Sequence, residues 1–105
     1  MKIWLDDIRP PPDDSWVWVV SARGAIAQLL LSEVDDDPVE LISFDHDLGS
    51  SGTSMKVAEY IEKRAFERAI KPPRWRIHSA NPVGRANLKA ALERSERLYD
   101  DQKKG

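Results

Sequence analysis

Four short runs of aliphatic and aromatic residues recur along the chain, and helix-patterned segments separate them from the second run onward. They are "KIWL" (2–5), "WVWVV" (16–20), the stretch 40–44 ending in "LISF", and "RWRIHSA" (74–80). Runs this short, rich in β-branched and aromatic residues, read as strands. Strands joined through crossover helices pair in parallel, by right-handed connections. The order β-β-α-β-α-β-α therefore predicts an α/β fold, a mostly parallel four-stranded sheet wrapped by helices. The first link breaks the pattern. "RPPPDDS" (9–15) cannot be helical, because consecutive prolines remove donors and hold the backbone extended.

Ser21 is placed to cap a helix over 22–32, where Ala22, Ile26, Leu29 and Leu30 recur at helical spacing. Asp35-Asp36-Asp37-Pro38 reads as a loop, and Gly49 to Gly52 as a turn. Thr53 or Ser54 caps the next helix, whose Met55, Ala58, Ile61, Ala65 and Phe66 form one apolar stripe ended by Pro72-Pro73. Asn81-Pro82 is a cap followed by proline at the first helical position. The last helix is expected to bury Leu88, Ala91, Leu92, Ser95 and Leu98. The expectation is one domain over 1–105, an ordered core over 1–99 and a fraying polar tail over 100–105. A chain of 105 residues can bury one core and not two. It has no cysteine, so thiolate metal sites and disulfides are excluded. No apolar run approaches the ~18 residues of a membrane span, and "MKIWLDD" meets acid too early for a secretory leader. The expected compartment is the cytoplasm, or the host cytoplasm if the gene is a phage's, with no membrane partner.

In parallel α/β sheets ligands bind beyond the carboxyl ends of the strands. The chain puts its polar clusters there: Asp6-Asp7 after the first strand, Asp45-His46-Asp47 after the third, and His78-Ser79-Ala80-Asn81 at the end of the fourth. Uncompensated carboxylates at strand tips would cost several kcal/mol or shift their pKa values. A hard divalent cation, Mg²⁺ or Mn²⁺, held by Asp6, Asp7, Asp45 and Asp47 would compensate them. The plainer reading makes each Asp a loop or helix cap. Alternation along a continuing strand would turn His46 away from Asp45 and Asp47, and would let only one of His78 and Ser79 face the cup. Either imidazole suits acid–base chemistry near neutral pH. Arg9 either pairs with Asp6 or Asp7, or clamps a phosphate oxygen. Asn81 caps the last helix, and that helix N-terminus, with Gly84 and Arg85, offers donors to an anion. The four tryptophans read as packing, with Trp16 a candidate for stacking a base.

Charge is divided unevenly. Residues 1–55 carry 3 basic and 11 acidic side chains and residues 56–105 carry 13 and 7, so the halves stand at −8 and +6. Solvated helices beside an acidic loop account for this, as does an acidic metal cup beside a basic surface that attracts a phosphorylated ligand.

With an acidic pair after strand one, Asp45 after strand three and Ser79-Ala80 after strand four, the chain resembles a receiver domain of bacterial signalling. More closely, "LDDIRPPP", "ISFDHDLG" and "HSANPVGRANL" resemble the small receiver-like family named for cyclic-phosphate processing. The resemblance spans nearly the whole chain. It implies a three-layer, flavodoxin-like fold with strand order 2-1-3-4, a metal-binding acidic pair at Asp6 and Asp7, and the phosphoacceptor position at Asp45. It also implies hydrolysis of a cyclic phosphate on a nucleotide or an RNA end. The chain departs from ordinary receivers in lacking the helix after strand one and the fifth strand with its lysine, which argues against phosphorelay switching.

The activity expected is a metal-assisted phosphoesterase that opens a cyclic phosphate. Asp6, Asp7, Asp45 and Asp47 are its metal ligands, and Arg9, Ser79, Asn81 and Arg85 its phosphate contacts. His46 or His78 is the acid, with Asp45 as a nucleophile in one variant. A nucleotide-binding module without turnover and a degenerate receiver used for protein interaction are the alternatives. The truncated sheet exposes an edge at strand four, which a homodimer would cover.

Overall fold

The computed structural model describes residues 1–104. It contains β1 (Lys2–Leu5), β2 (Trp16–Val19), α1 (Ala22–Asp35), β3 (Leu41–Phe44), α2 (Met55–Arg68), β4 (Arg74–Ile77) and α3 (Pro82–Lys104). A single 3₁₀ turn over Gly49–Ser51 precedes α2. The sheet has the order β2-β1-β3-β4, and every pairing is parallel. Among the described residues no helix is long and apolar enough to cross a membrane.

Strand alternation divides the sheet's side chains between two unlike faces. Ile3, Leu5, Val19, Ile42 and Phe44 share one face. Ala22, Ala25 and Leu29 of α1, Val57, Ala58 and Ile61 of α2, and Leu88, Ala91 and Leu92 of α3 join those five in a single core. All three helices therefore pack on this face. The other face carries Lys2, Trp4, Trp16, Trp18, Leu41, Ser43, Arg74 and Arg76. None of the three helices covers it, because the β1–β2 link, which would bring a helix to that side, is the segment that three prolines forbid. That link meets the face through the Asp6 and Arg9 carbonyls, which accept from Trp18 and Trp4.

Several element limits differ from the sequence expectation. α1 runs to Asp35, three residues further than expected, and stops where Asp36 turns left-handed at φ 56°. Its buried stripe is Ala22, Ala25, Leu29 and Ser32, while Leu30 is exposed. The small residues let α1 lie close to the sheet, and Leu30 falls on the outer side. Phe66 is likewise exposed, and Ala65 beside it is buried. β4 ends at Ile77, so His78 to Asn81 form the bend into α3. Leu98 is only partly buried, and α3 continues through Asp100 to Lys104 with those residues exposed. Gly105 lies outside the described residues.

Candidate metal and phosphate site

The carboxyl ends of β1, β3 and β4 meet in an open pocket of about 510 Å³, lined by Asp6, Asp7, Arg9, Asp45, Asp47, Gly49, Ser79 and Asn81 among others. Parallel register puts these ends side by side, since Leu5 pairs with Phe44 and Phe44 with Ile77. Asp6 and Asp45 each follow directly, and the Asp45 N–H donates to the Leu5 carbonyl at 2.9 Å. One carboxylate oxygen each from Asp6, Asp7 and Asp45 lie within 4.8 Å of one another.

Asp6 is fully buried and committed on all sides. Its Oδ1 accepts from the backbone N–H groups of Ile8 and Arg9, at 2.9 and 2.8 Å. Its Oδ2 accepts from Arg9 Nε at 3.0 Å and faces His78 Nε2 at 3.1 Å. Burial pushes this carboxyl up, but the two N–H groups, the His78 bond and the Arg9 charge outweigh it and hold the carboxyl below its usual value. Asp7 and Asp45 are only partly buried and face the pocket. The close approach of Gly49 to Asp7 needs a residue without a side chain: a Cβ there would sit 2.6 Å from Asp7 Oδ2, and Gly49 has φ 61°.

Arg9 bridges the cup. Beyond its bond to Asp6 it lies 3.5 Å from Asp45 Oδ2, and its Nη2 donates to the His78 carbonyl at 3.4 Å. It thus pairs with acids, and it remains half exposed at the pocket rim. Two indoles fasten the segment that carries it. Trp18 Nε1 donates to the Asp6 carbonyl at 2.7 Å, and Trp4 Nε1 to the Arg9 carbonyl at 2.9 Å.

The histidines occupy different settings. His78 stacks on Trp4 with ring centroids 3.9 Å apart, and its Nδ1 lies 2.7 Å from Ser43 Oγ. Burial lowers this imidazole below its ordinary value, and the pull of Asp6 in the other direction does not overcome it. A neutral ring that donates from Nε2 to Asp6 and accepts at Nδ1 from Ser43 satisfies every partner. His78 is therefore turned to the sheet's helix-free face, with both nitrogens engaged. His46 has Nδ1 at 3.1 Å from Asp47 Oδ1, and its ring lies against Gly84 in the first turn of α3. Its Nε2 bonds to no group among the described residues. Asp47 is exposed, faces Asn81 Nδ2 at 3.3 Å through its other oxygen, and is held below its usual value by His46 first and Asn81 second. Asp47 stands outside the three-carboxylate cluster.

Asn81 Oδ1 accepts from the N–H groups of Val83 and Gly84, both at 3.1 Å, and so caps α3. Ser79 is buried, and its Oγ accepts from the Asn81 N–H at 3.2 Å. Arg85 Nη1 donates to the carbonyls of Ile77 and Ser79 at 3.2 and 2.9 Å, fastening the end of β4 rather than pointing into the pocket. The sequence reading passed over Ser43, took Gly49 only as a turn residue and Gly84 only as part of an anion-binding helix N-terminus, and treated Trp4 and Trp18 as packing alone. None of these five carries a charge, and their roles depend on register and backbone approach.

Three carboxylates with hard oxygen donors suit Mg²⁺ or Mn²⁺. Asp7 and Asp45 have oxygens to give, whereas Asp6 would give one only in competition with Arg9 or His78. The residues thus fit a divalent cation held chiefly by Asp7 and Asp45, with Asp6 orienting the cup. No curated protein and no solved structure matches the chain. The family model for the cyclic-phosphate processing receiver domain does match it, over residues 1–94, and the chain belongs to that family.

Proposed function

We propose that the protein is a metal-assisted phosphoesterase that opens a cyclic phosphate to a linear monoester. One observation carries this reading: in a chain of a cyclic-phosphate processing family, three strand-end carboxylates have oxygens within 4.8 Å of one another. Asp7 and Asp45, with Asp6 behind them, would hold a divalent ion, which would supply charge neutralisation for the phosphate and acidity for a water. Arg9, half exposed at the rim, contacts a phosphate oxygen by releasing Asp45 while keeping its Nε bond to Asp6. The first turn of α3 has no free N–H for a ligand, since Val83 and Gly84 donate to Asn81 Oδ1 and Arg85 to the Asn81 carbonyl, so only the positive end of the helix dipole favours an anion nearby. Of the two histidines His46 is the one with a nitrogen to spare, but its ring packs against Gly84 and does not line the pocket, so as general acid it acts by turning toward the cup. Its Nδ1 is oriented by Asp47, so Nε2 is left to pass a proton to the departing sugar oxygen. His78 acts as a positioning residue that holds Asp6 against Trp4 and Ser43.

The engaged nitrogens of His78 and the carbonyl-bound Arg85 also favour a second reading, a module that sequesters a cyclic phosphate without turnover. A panel of 2′,3′- and 3′,5′-cyclic nucleotides, with Mg²⁺ or Mn²⁺ and analysis of products, separates the two. The expected result is metal-dependent formation of a linear monoester, lost in Asp45→Ala and lowered ~10²-fold or more in His46→Ala with ligand affinity retained. Binding without a linear product in any divalent metal would replace the enzyme by the sequestering module.

A further inference from the structure

The helix-free face of the sheet adjoins the cup and is built from aromatic and basic side chains. Register sets Trp18, Trp4, Ser43 and Arg76 in one row across it, and Trp16, Lys2, Leu41 and Arg74 in the row behind. The front row touches the cup directly. Trp18 donates to the Asp6 carbonyl and Trp4 stacks on His78. Trp18 is 45% exposed, and its bond to the backbone fixes the plane of its ring. Lys2 and Arg76 extend over the Trp16 ring, at 4.5 and 5.5 Å from its centroid. Arg74 and Arg76 are exposed. Among the described residues no carboxylate forms an ion pair with Lys2, Arg74 or Arg76, and Asp13 in the proline loop is the acidic neighbour of Lys2.

The exposed ring stands at the β2 edge of a face that carries unpaired cations on β1 and at its β4 edge, three strand spacings or about 14 Å away. That arrangement matches a single-stranded nucleic acid, which needs a π-face for its bases and positive charge for its phosphates. Of the two cyclic phosphates that the phosphoesterase reading leaves open, only the 2′,3′ form can end a strand, and it forms only on ribose. We propose that this face binds the terminal nucleotides of a single-stranded RNA and delivers its cyclic-phosphate end to the cup. A base stacks on Trp18, and Lys2, Arg74 and Arg76 hold the backbone phosphates. The assignment of the end group rests on the phosphoesterase reading, while the docking surface itself does not.

The test is fluorescence anisotropy with a labelled hexaribonucleotide ending in a 3′-hydroxyl, so that binding is read without turnover. Three phosphate contacts to a single strand give a slope of log K against log salt of about −2. The double variant Arg74→Ala, Arg76→Ala is expected to bind about tenfold or more weakly and to flatten the slope to about −0.7. Both arginines are exposed, and a melting temperature matching the wild type shows that the variant is folded. Its hydrolysis of a cyclic mononucleotide is expected to be unchanged. A wild type that fails to bind the hexamer at low salt, or a double variant that binds it equally well, overturns the proposal. So does a dimer, seen by sedimentation, that buries Trp18, since a second copy would then own this face. Hexamer binding without hydrolysis of any cyclic nucleotide keeps the surface and removes the phosphoesterase.

Discussion

Asp6 has its carboxylate oxygens engaged by four protein groups, and that separates it from Asp7, its neighbour in the chain. Removing the Asp6 side chain leaves two backbone N–H groups, the Arg9 guanidinium and the His78 imidazole without their acceptor. Each unsatisfied group costs about 1–3 kcal/mol, and breaking a buried ion pair costs about 3–5 kcal/mol in all. Asp6→Ala is therefore expected to lose about 3–5 kcal/mol of stability in chelator. Asp7→Ala is expected to lie within about 0.5 kcal/mol of the wild type, as changes away from such networks do. Urea denaturation of both variants checks this, and equal losses would refute the division of labour. The sequence showed that two carboxylates stand at this strand tip but could not say which one turns inward. Alternation applies only while the strand lasts, and β1 ends at Leu5. Ser43 and the indole donors of Trp4 and Trp18 were illegible for a related reason: nothing local in the chain marks what lies across the sheet from it.

At the scale of elements, the order of strands and helices and the strand order 2-1-3-4 were legible, because crossover helices leave few topologies open. Helix faces were harder to read. Periodicity picks out the large apolar residues, yet α1 presents Ala22 and Ala25 to the sheet and leaves Leu30 outside. The contact between the β3 tip and the first turn of α3 had no local signature except a glycine, Gly84, and it makes a sharp test. Gly to Ala in a helix interior ordinarily gains about 1 kcal/mol. At Gly84 the added methyl would overlap the His46 ring, so either the ring swings off Asp47 or the helix moves. Gly84→Ala is thus expected to lower the melting temperature and to shift the His46 ring resonances. In a His46→Ala background the same change is expected to be neutral or stabilising. Strict additivity of the two substitutions would show that the rings and helix do not touch in solution.

For the molecule as a whole, a cation held in the cup as proposed would link its binding to folding. Without a cation, Arg9 is the charge that bridges Asp6 and Asp45. Carboxylates this close repel one another, and whatever neutralises them stabilises the folded chain but not the unfolded one. Mg²⁺ or Mn²⁺ should raise the melting temperature with concentration, by about 2.7 kcal/mol at a hundred times its Kd. For a domain near 100 residues that corresponds to roughly 10–20 °C. Arg9→Ala starts from a lower melting temperature, having lost the internal cation, and should show the larger rise, because nothing competes with the metal. Asp45→Asn removes a ligand and part of the repulsion together, so its rise should be small. Asp13→Asn lies in the proline loop, outside the cup, and should respond like the wild type. Thermal melts of these four proteins across a titration of MgCl₂ decide the matter: equal rises in Asp45→Asn and Asp13→Asn would place the cation somewhere other than this cup.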